Sequence, residues 1–410
     1  MFQFLGSNDT EAITHVALSK SKQYLAICER CTAGNKGKFT IYNMLKAGDK
    51  NKIKALPEQI QDMNAFDSQE FVASAFSPKE ERMIVTLTGS PDWQVFLWNW
   101  EREKLIAKTS IGIQGEIERD ICSFQLSYNP FDQSASTILV TGPNNTYVYM
   151  KQRKEENDIF FTHDHSQINN LEQGRDISTN FTCHSWSQTT GMILICTENG
   201  EMLLCANNGE YKSYITDAPV GKCIDSVFSF SNGFVICVEN MFRIYQSEDG
   251  DERALLRLDG SSIRIDMRDT NHNYLGNGQR TIRGLAINED EDQLYAITSD
   301  GQLVTAGIQC KGDLEDRNDH VKFEYVFGPF HRSEITGLDV CVRKELVATC
   351  SKDKTVSVWN YVNKTHEISQ VFTEECLTLA FHPSGLHIVL ALQDKIQMCK
   401  VLSNAISQYK

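Results

Sequence analysis

His331–Asn360 reads HRSEITGLDVCVRKELVATCSKDKTVSVWN. A His opens the stretch. A strand-like run follows (Ile335–Val340), then a second (Leu346–Ser351), an Asp in a turn (Asp353), and a third run ending in Trp359–Asn360. Short β-branched and apolar runs bounded by polar turns read as strands. The order His, strand, strand, turn Asp, strand ending in Trp is that of one WD-repeat blade, a four-stranded antiparallel sheet.

The same phrase recurs along the chain. Its first strand is legible at Ile13–Leu18, Phe71–Pro78, Ile121–Leu126, Phe181–Trp186, Ile224–Phe230, Ile282–Ile287, Ile335–Val340 and Leu377–Pro383. Apolar second runs follow, for example Met192–Thr197 and Phe234–Val238. Most third runs end in an aromatic or apolar residue, as at Gln94–Trp98. Successive units lie between 42 residues apart (Ile335 to Leu377) and 60 apart (Ile121 to Phe181), so insertions separate them. One such sheet cannot bury both its faces; sheets stacked around an axis can, and they leave only short edges. The expected fold is all-β, a WD-repeat β-propeller of seven or eight blades of four antiparallel strands. Residues 1–410 are read as a single propeller. Phe2–Leu5 (FQFL) reads as a last strand, expected to complete the eighth unit and clasp the ends together.

The polar residues of the seventh unit have a folding reading. A buried Trp indole N–H needs an acceptor, a strand hydroxyl can supply it, and a His can reach the Asp that fixes the turn. By spacing, Trp359, Thr349, His331 and Asp353 form that structural hydrogen-bond chain. A Thr/His/Asp catalytic reading fails because each residue already has a folding task and Thr needs special activation to become a nucleophile. Trp93, Trp98 and Trp100 crowd the second unit. Strand alternation puts Trp98 and Trp100 on one face. Core packing is the favoured account, with Trp93 and Trp100 as candidate partner-contact aromatics should they be exposed.

Composition excludes several functions. The 410 residues carry a net charge of −14 with no strongly basic stretch, so nucleic acid is not an expected partner. The N-terminus MFQFLGSNDTEA has neither a basic region nor an apolar core of a signal peptide, and no apolar run is long enough to span a bilayer, so no membrane association is expected. The 13 Cys fall largely in strand runs, where Cys acts as a small apolar residue, and a reducing compartment is the simplest setting. Cys28-Glu29-Arg30-Cys31 is a lone CxxC with no second pair. His163-Asp164-His165 has no third ligand fixed nearby. Gly276-Asn277-Gly278 precedes a strand-like run where a phosphate loop needs a helix. Catalytic, cofactor and metal residues are therefore expected to be none. The polar stretches between units, such as Asn157–Asn180 and Ser247–Arg280, are read as loops or outer-strand excursions.

Four segments carry a family resemblance: GSPDWQVFLWNWEREKL (Gly89–Leu105), FTCHSW (Phe181–Trp186), ITGLDVCVRKELVATCSKDKTVSVWNY (Ile335–Tyr361) and FHPSGLHI (Phe381–Ile388). Together they resemble the N-terminal propeller region of cilia- and flagella-associated protein 57, from about Ile13 to about Val401. The resemblance implies a non-enzymatic docking scaffold of the motile-cilium axoneme, a cytoskeletal setting. Its implied partners are inner-arm dynein subunits, the neighbouring regulatory complex and microtubule-associated proteins. It also implies a longer protein, with a second propeller and a long coiled coil. The alternative function is a general cytosolic WD adaptor, such as a ubiquitin-ligase substrate receptor. A propeller enzyme would need acids, bases or metal ligands converging at the central opening, and no motif in the sequence places them there.

Overall fold

A computed structural model describes residues 9–46, 52–57, 66–113, 124–155, 158–165, 180–188, 190–215, 221–231, 233–238, 241–247, 255–257, 263–264, 282–288, 290–298, 301–307, 324–326, 331–403 and 405–409. Among them every regular element is a strand. The described strands form eight antiparallel sheets, each containing four strands paired in chain order. This is the architecture of WD-repeat blades, and the fold class is an all-β WD-repeat propeller. The chain divides into two compact units, Met1–Ser262 and Ile263–Lys410.

The first unit holds five sheets. The first is Thr10–Leu18, Tyr24–Cys31, Lys38–Asn43 and Lys52–Leu56. The second is Phe71–Phe76, Met83–Thr88, Gln94–Asn99 and Lys104–Ser110. The third is Gln125–Tyr128, Thr137–Gly142, Thr146–Glu155 and Asp158–His165. The fourth is Phe181–Trp186, Ile193–Thr197, Met202–Cys205 and Tyr211–Tyr214. The fifth is Ile224–Phe230, Gly233–Val238, Met241–Ser247 and Leu255–Arg257. The second unit holds three. The sixth is Ile282–Ile287, Gln293–Thr298, Leu303–Gly307 and Glu324–Tyr325. The seventh is Ile335–Val340, Leu346–Ser351, Thr355–Asn360 and Thr365–Val371. The eighth is Cys376–Phe381, His387–Leu392, Ile396–Val401 and Ile406–Gln408. The eighth sheet thus takes its fourth strand from Ile406–Gln408. The strand expected there, Phe2–Leu5, lies outside the described residues, as do Ile121–Ser123 and Gly276–Gly278.

The core lies between sheets, because alternation sends successive side chains to opposite faces. In the first unit Phe39 and Ile41 of the first sheet meet Ile84, Phe96 and Trp98 of the second. The other face of the second sheet sends Val85, Leu87, Val95 and Leu97 against Leu126, Ile138, Val140 and Val148 of the third. The third and fourth sheets meet through Leu139, Tyr147 and Tyr149 against Ile193, Ile195 and Leu203. The fourth and fifth meet through Leu194, Cys196 and Leu204 against Phe234, Ile236 and Val238. In the second unit Ala348, Cys350, Val356 and Val358 of the seventh sheet meet Leu379, Ile388, Leu390 and Cys399 of the eighth. Second strands covered on both faces are buried at every position, as in Thr137–Gly142, Ile193–Thr197 and Gly233–Val238. This is why they read as unbroken apolar runs. Each large aliphatic or Phe side chain so buried contributes about 1.5–3 kcal/mol.

Seven of the first strands carry a β-bulge, six of them at their second residue and the first sheet's at its fifth. Thr14, Val72, Thr182, Asp225, Arg283, Thr336 and Leu377 are each the extra residue, with their neighbours paired normally across the hairpin. A bulge re-aims one side chain. Three of the seven are Thr, and each of those hydroxyls crosses to the first residue of the next sheet. Thr14 Oγ1 donates to Phe71 O (2.5 Å), Thr182 Oγ1 to Ile224 O (2.6 Å) and Thr336 Oγ1 to Cys376 O (2.5 Å). The sheets are therefore joined by polar clamps as well as apolar contact. At Gly337, beside one clamp, an added Cβ would lie 3.0 Å from Cys350 Sγ and from Thr378 Cα, so the seventh and eighth sheets approach too closely for a larger residue.

Candidate functional site

The structure brings His331, Thr349, Asp353 and Trp359 together on one side of the seventh sheet. Thr349 and Trp359 come from adjacent strands, His331 from the segment entering the first strand, and Asp353 from the turn between the second and third. Trp359 Nε1–H donates to Thr349 Oγ1 (3.1 Å). Thr349 Oγ1 lies 2.7 Å from His331 Nε2, and His331 Nδ1 lies 2.7 Å from Thr355 Oγ1. Thr355 donates through its hydroxyl (2.5 Å) and its N–H (2.9 Å) to Asp353 Oδ1, while Arg332 N–H donates to Asp353 Oδ2 (2.6 Å).

An indole nitrogen only donates, so Thr349 accepts from Trp359. A carboxylate only accepts, so Thr355 gives its hydroxyl proton to Asp353 and accepts from His331 Nδ1–H. The direct approach of His331 Nδ1 to Asp353 Oδ2 is 3.6 Å, too long for a hydrogen bond. Thr355 is thus the relay between His and Asp, and the sequence reading missed it. Its signal was available: a Thr two residues after a turn Asp can make an Asx-type contact. Burial works to raise the Asp353 pKa, but the His331 ring beside it and the hydrogen bonds from Thr355 outweigh it and hold the carboxyl below the ordinary Asp value. A cavity of about 310 Å³ touches His331, Ser333, Ile335, Thr349 and Trp359. Of its lining, the Thr349 hydroxyl, the His331 imidazole and the Trp359 indole are engaged with one another.

The second sheet reaches a similar end with different residues. Trp98 Nε1–H donates to Thr86 Oγ1 (2.8 Å), matching the Trp359–Thr349 pair. Asp67 occupies the place of His331, and Asp92 Oδ2 accepts from the backbone N–H groups of Asp67 (2.6 Å) and Ser68 (2.7 Å). The turn Asp is kept while the His is dispensed with.

A second buried imidazole, overlooked in the sequence, joins the third and fourth sheets. His184 is 2% exposed. Its Nε2 lies 2.6 Å from Ser127 Oγ and its Nδ1 2.7 Å from Thr141 Oγ1. Trp186 Nε1–H donates to the same Ser127 Oγ (2.8 Å), and His184 N–H donates to Gln125 Oε1 (2.6 Å). Ser127 thus accepts from Trp186 and pairs with Nε2, while Thr141 pairs with Nδ1, so both ring nitrogens are engaged. Burial lowers the His184 pKa to about 3, so the ring is neutral at physiological pH.

Trp93 and Trp100, the candidate partner contacts, are 6% and 2% exposed. Trp93 sits in the turn position of Lys354. Both residues have positive φ (46° and 68°), and the left-handed turn lays the Trp93 ring on Phe124, with centroids 4.8 Å apart. Trp100 packs 5.0 Å from Tyr24 and donates its indole N–H to Glu81 O (2.6 Å). Neither ring is offered to a partner. Sequence alternation could place these rings on faces but could not say that both faces of the second sheet are covered.

The remaining candidates are also accounted for. Cys28 and Cys31 lie three apart on one strand, so their side chains leave opposite faces and cannot share an ion. Burial pushes the Cys28 thiol up to about 12. His163 Nε2 lies 2.9 Å from Thr109 Oγ1, and Asp164 pairs with Lys151 at 3.2 Å, within an outer strand. Eleven cysteines fall among the described residues; ten are buried, Cys223 is exposed, and none is disulfide-bonded. Among the described residues no three His, Cys, Asp or Glu side chains are placed to hold a metal ion. No described helix is long and apolar enough to cross a membrane.

Comparison with known proteins follows the same lines. The family model for the WD domain, G-beta repeat, matches residues 323–360. Cilia- and flagella-associated protein 57 A of Tetrahymena thermophila is 28% identical over 346 residues, covering 84% of this chain and 25% of the relative. Mouse cilia- and flagella-associated protein 57 is 26% identical over 432 residues, covering 99% and 33%. Protein 57 C of T. thermophila is 24% identical, covering 96% and 33%. The chain therefore spans about a quarter to a third of the length of the curated relatives it matches. Among solved structures, Chaetomium thermophilum Raptor aligns with a TM-score of 0.43 at 14% identity, over 82% of this chain and 27% of that one. The Cps50 (Swd1) β-propeller domain of Myceliophteria thermophila aligns with a TM-score of 0.39 at 11% identity, over 97% and 98%. Three relatives of one kind along most of the chain, and a WD match on its most regular repeat, make this a WD-repeat protein that is similar to cilia- and flagella-associated protein 57.

Proposed function

We propose that the chain is a non-enzymatic docking scaffold of the motile-cilium axoneme, associated with inner dynein arms and the neighbouring regulatory complex. The observation that carries this reading is similarity to proteins named as cilia- and flagella-associated along 84–99% of the chain. The residue chemistry agrees with it. His331, His184, Asp353 and Asp92, the residues most able to do acid–base work, are engaged in hydrogen bonds that hold sheets and turns. Sheets with their polar groups so occupied act by presenting turns and edges to other proteins. The network role of His331, Thr349, Asp353 and Trp359 belongs to this proposal.

The test is biochemical fractionation. Cilia are extracted with detergent, and the axonemes are then washed with salt. The chain is expected to stay with the detergent-washed axoneme and to leave in the salt extract with inner-arm dynein. A chain found wholly in the detergent-soluble pool, bound to ubiquitin-ligase subunits, removes the axonemal reading in favour of a cytosolic adaptor.

A further inference from the structure

The second unit exposes an edge that differs in kind from the rest of this acidic chain. In a four-stranded antiparallel sheet, the turn between strands one and two and the turn between strands three and four lie at the same end. In the seventh sheet these turns carry Val342 (85% exposed), Tyr361 and Val362. In the eighth they carry Leu386 and Leu402, all exposed. The two ends adjoin. Cys341 Sγ lies 3.8 Å from Pro383 O, Lys344 Nζ lies 3.4 Å from Gly385 O, and a Cβ added at Gly385 would sit 2.8 Å from Cys341 Sγ. The five apolar side chains therefore lie along one continuous edge.

Cations frame this edge. Arg343 and Lys344 follow Val342, Lys364 follows Val362, and Lys400 precedes Leu402. Among the described residues, Arg343, Lys364 and Lys400 enter no ion pair. Glu345 and Glu367 are the exposed acids nearby. On the opposite edge of the same two sheets only Lys354 of the described lysines is left unpaired, while Lys352 pairs with Glu334 and Lys395 with Glu374, each at 2.5 Å. Uncompensated cations beside exposed aliphatic and aromatic groups, in a chain of net charge −14, form a local field of opposite sign to the whole.

We propose that this edge of the seventh and eighth sheets docks an acidic protein segment bearing apolar anchors. The inference rests on the docking reading above and gives it a surface. Tyr361, Val342 and Leu386 take the anchors, and Arg343, Lys364 and Lys400 hold the flanking carboxylates. A nucleic acid or an anionic bilayer fits less well. Either is an extended anion that must also face the remaining acidic surface, and the apolar groups outnumber the unpaired cations.

The experiment measures binding of a short synthetic peptide of glutamates interspersed with leucine and phenylalanine to the intact chain, by fluorescence anisotropy at low salt. Binding is expected to weaken about tenfold or more in the triple variant Arg343→Glu/Lys364→Glu/Lys400→Glu, and by a similar factor in Tyr361→Ser. A peptide of glutamate and glycine alone is expected to bind at least about tenfold more weakly than the anchored one. Reversing the opposite edge, Lys352→Glu/Lys395→Glu, is expected to leave binding unchanged. Val342→Ser is a second, single change at a fully turned-out side chain, and unaltered thermal midpoints show that the variants are folded. Failure of the folded chain to bind the anchored peptide overturns the proposal. So does equal binding by the triple variant, or preferential capture of RNA or of phosphatidylserine vesicles. Those results leave the axonemal reading standing. A chain absent from axonemes yet still binding the peptide overturns that reading and keeps this surface.

Discussion

At the scale of single residues, the polar groups between sheets matter because of what happens when one is lost. Thr86 and Thr349 each accept an indole N–H, and Thr349 also serves His331. Replacing either with Val keeps the shape and orphans a buried donor, which costs about 1–3 kcal/mol. Thr349→Val should be the more damaging of the two, since it leaves both Trp359 and His331 short of a partner. Urea unfolding midpoints compare them directly; equal, negligible losses would show that the chain is not a connected network. His184 makes a pH prediction. Its folded pKa, about 3, lies below the ordinary value of 6.5, so the unfolded chain binds the extra proton between those limits. The contribution of the neutral ring is complete above pH 6.5 and is lost as pH falls toward 3, by about 3 kcal/mol at pH 4. His184→Gln should therefore flatten the loss of stability between pH 7 and pH 4 relative to the parent. Parallel pH profiles for the two would contradict the assignment.

At the scale of elements, the bulge–Thr clamp is the unit that repeats. Thr14, Thr182 and Thr336 sit at three separate sheet junctions, so their contributions should add. Each Thr→Val change is expected to cost about 1 kcal/mol, and the triple change about 3 kcal/mol, read as a summed shift in unfolding free energy. A triple variant no less stable than one single change would show that the clamps are incidental. First and second strands were legible in the sequence because they are the apolar ones, and a run such as Phe234–Val238 has no competing reading. Outer strands were not. Asp158–His165 (DIFFTHDH) and Lys52–Leu56 (KIKAL) carry charge on an exposed edge, so their composition resembles that of loops. The network residues were legible where the WD phrase is complete, at His331, Thr349, Asp353 and Trp359. They were not legible where a sheet borrows across to its neighbour, because His184 meets Ser127 and Thr141 from another repeat, 57 and 43 positions away. Spacing within one phrase contains no information about that contact. Trp93 and Trp100 failed as surface candidates for a related reason: burial of a sheet face depends on the next sheet, which local sequence does not describe.

At the scale of the whole molecule, charge and surface set the kind of partner. The excess of 54 acidic over 40 basic side chains favours encounter with basic segments and disfavours other extended anions. The edge of the seventh and eighth sheets is a local exception with its own specificity. Association with basic partners should accordingly be salt-sensitive, weakening as ionic strength rises from about 50 to about 500 mM across roughly a threefold fall in Debye length. A salt-independent association measured by pull-down would assign it to apolar contact alone. The central claim is that the chain serves the axoneme through its surfaces. The most direct measurement is cryo-electron tomography of axonemes assembled with a tagged copy of this chain. The account predicts tag density at a fixed, periodic position beside the inner dynein arms; axonemes that carry no tag density, with the tagged chain elsewhere in the cell, would contradict it.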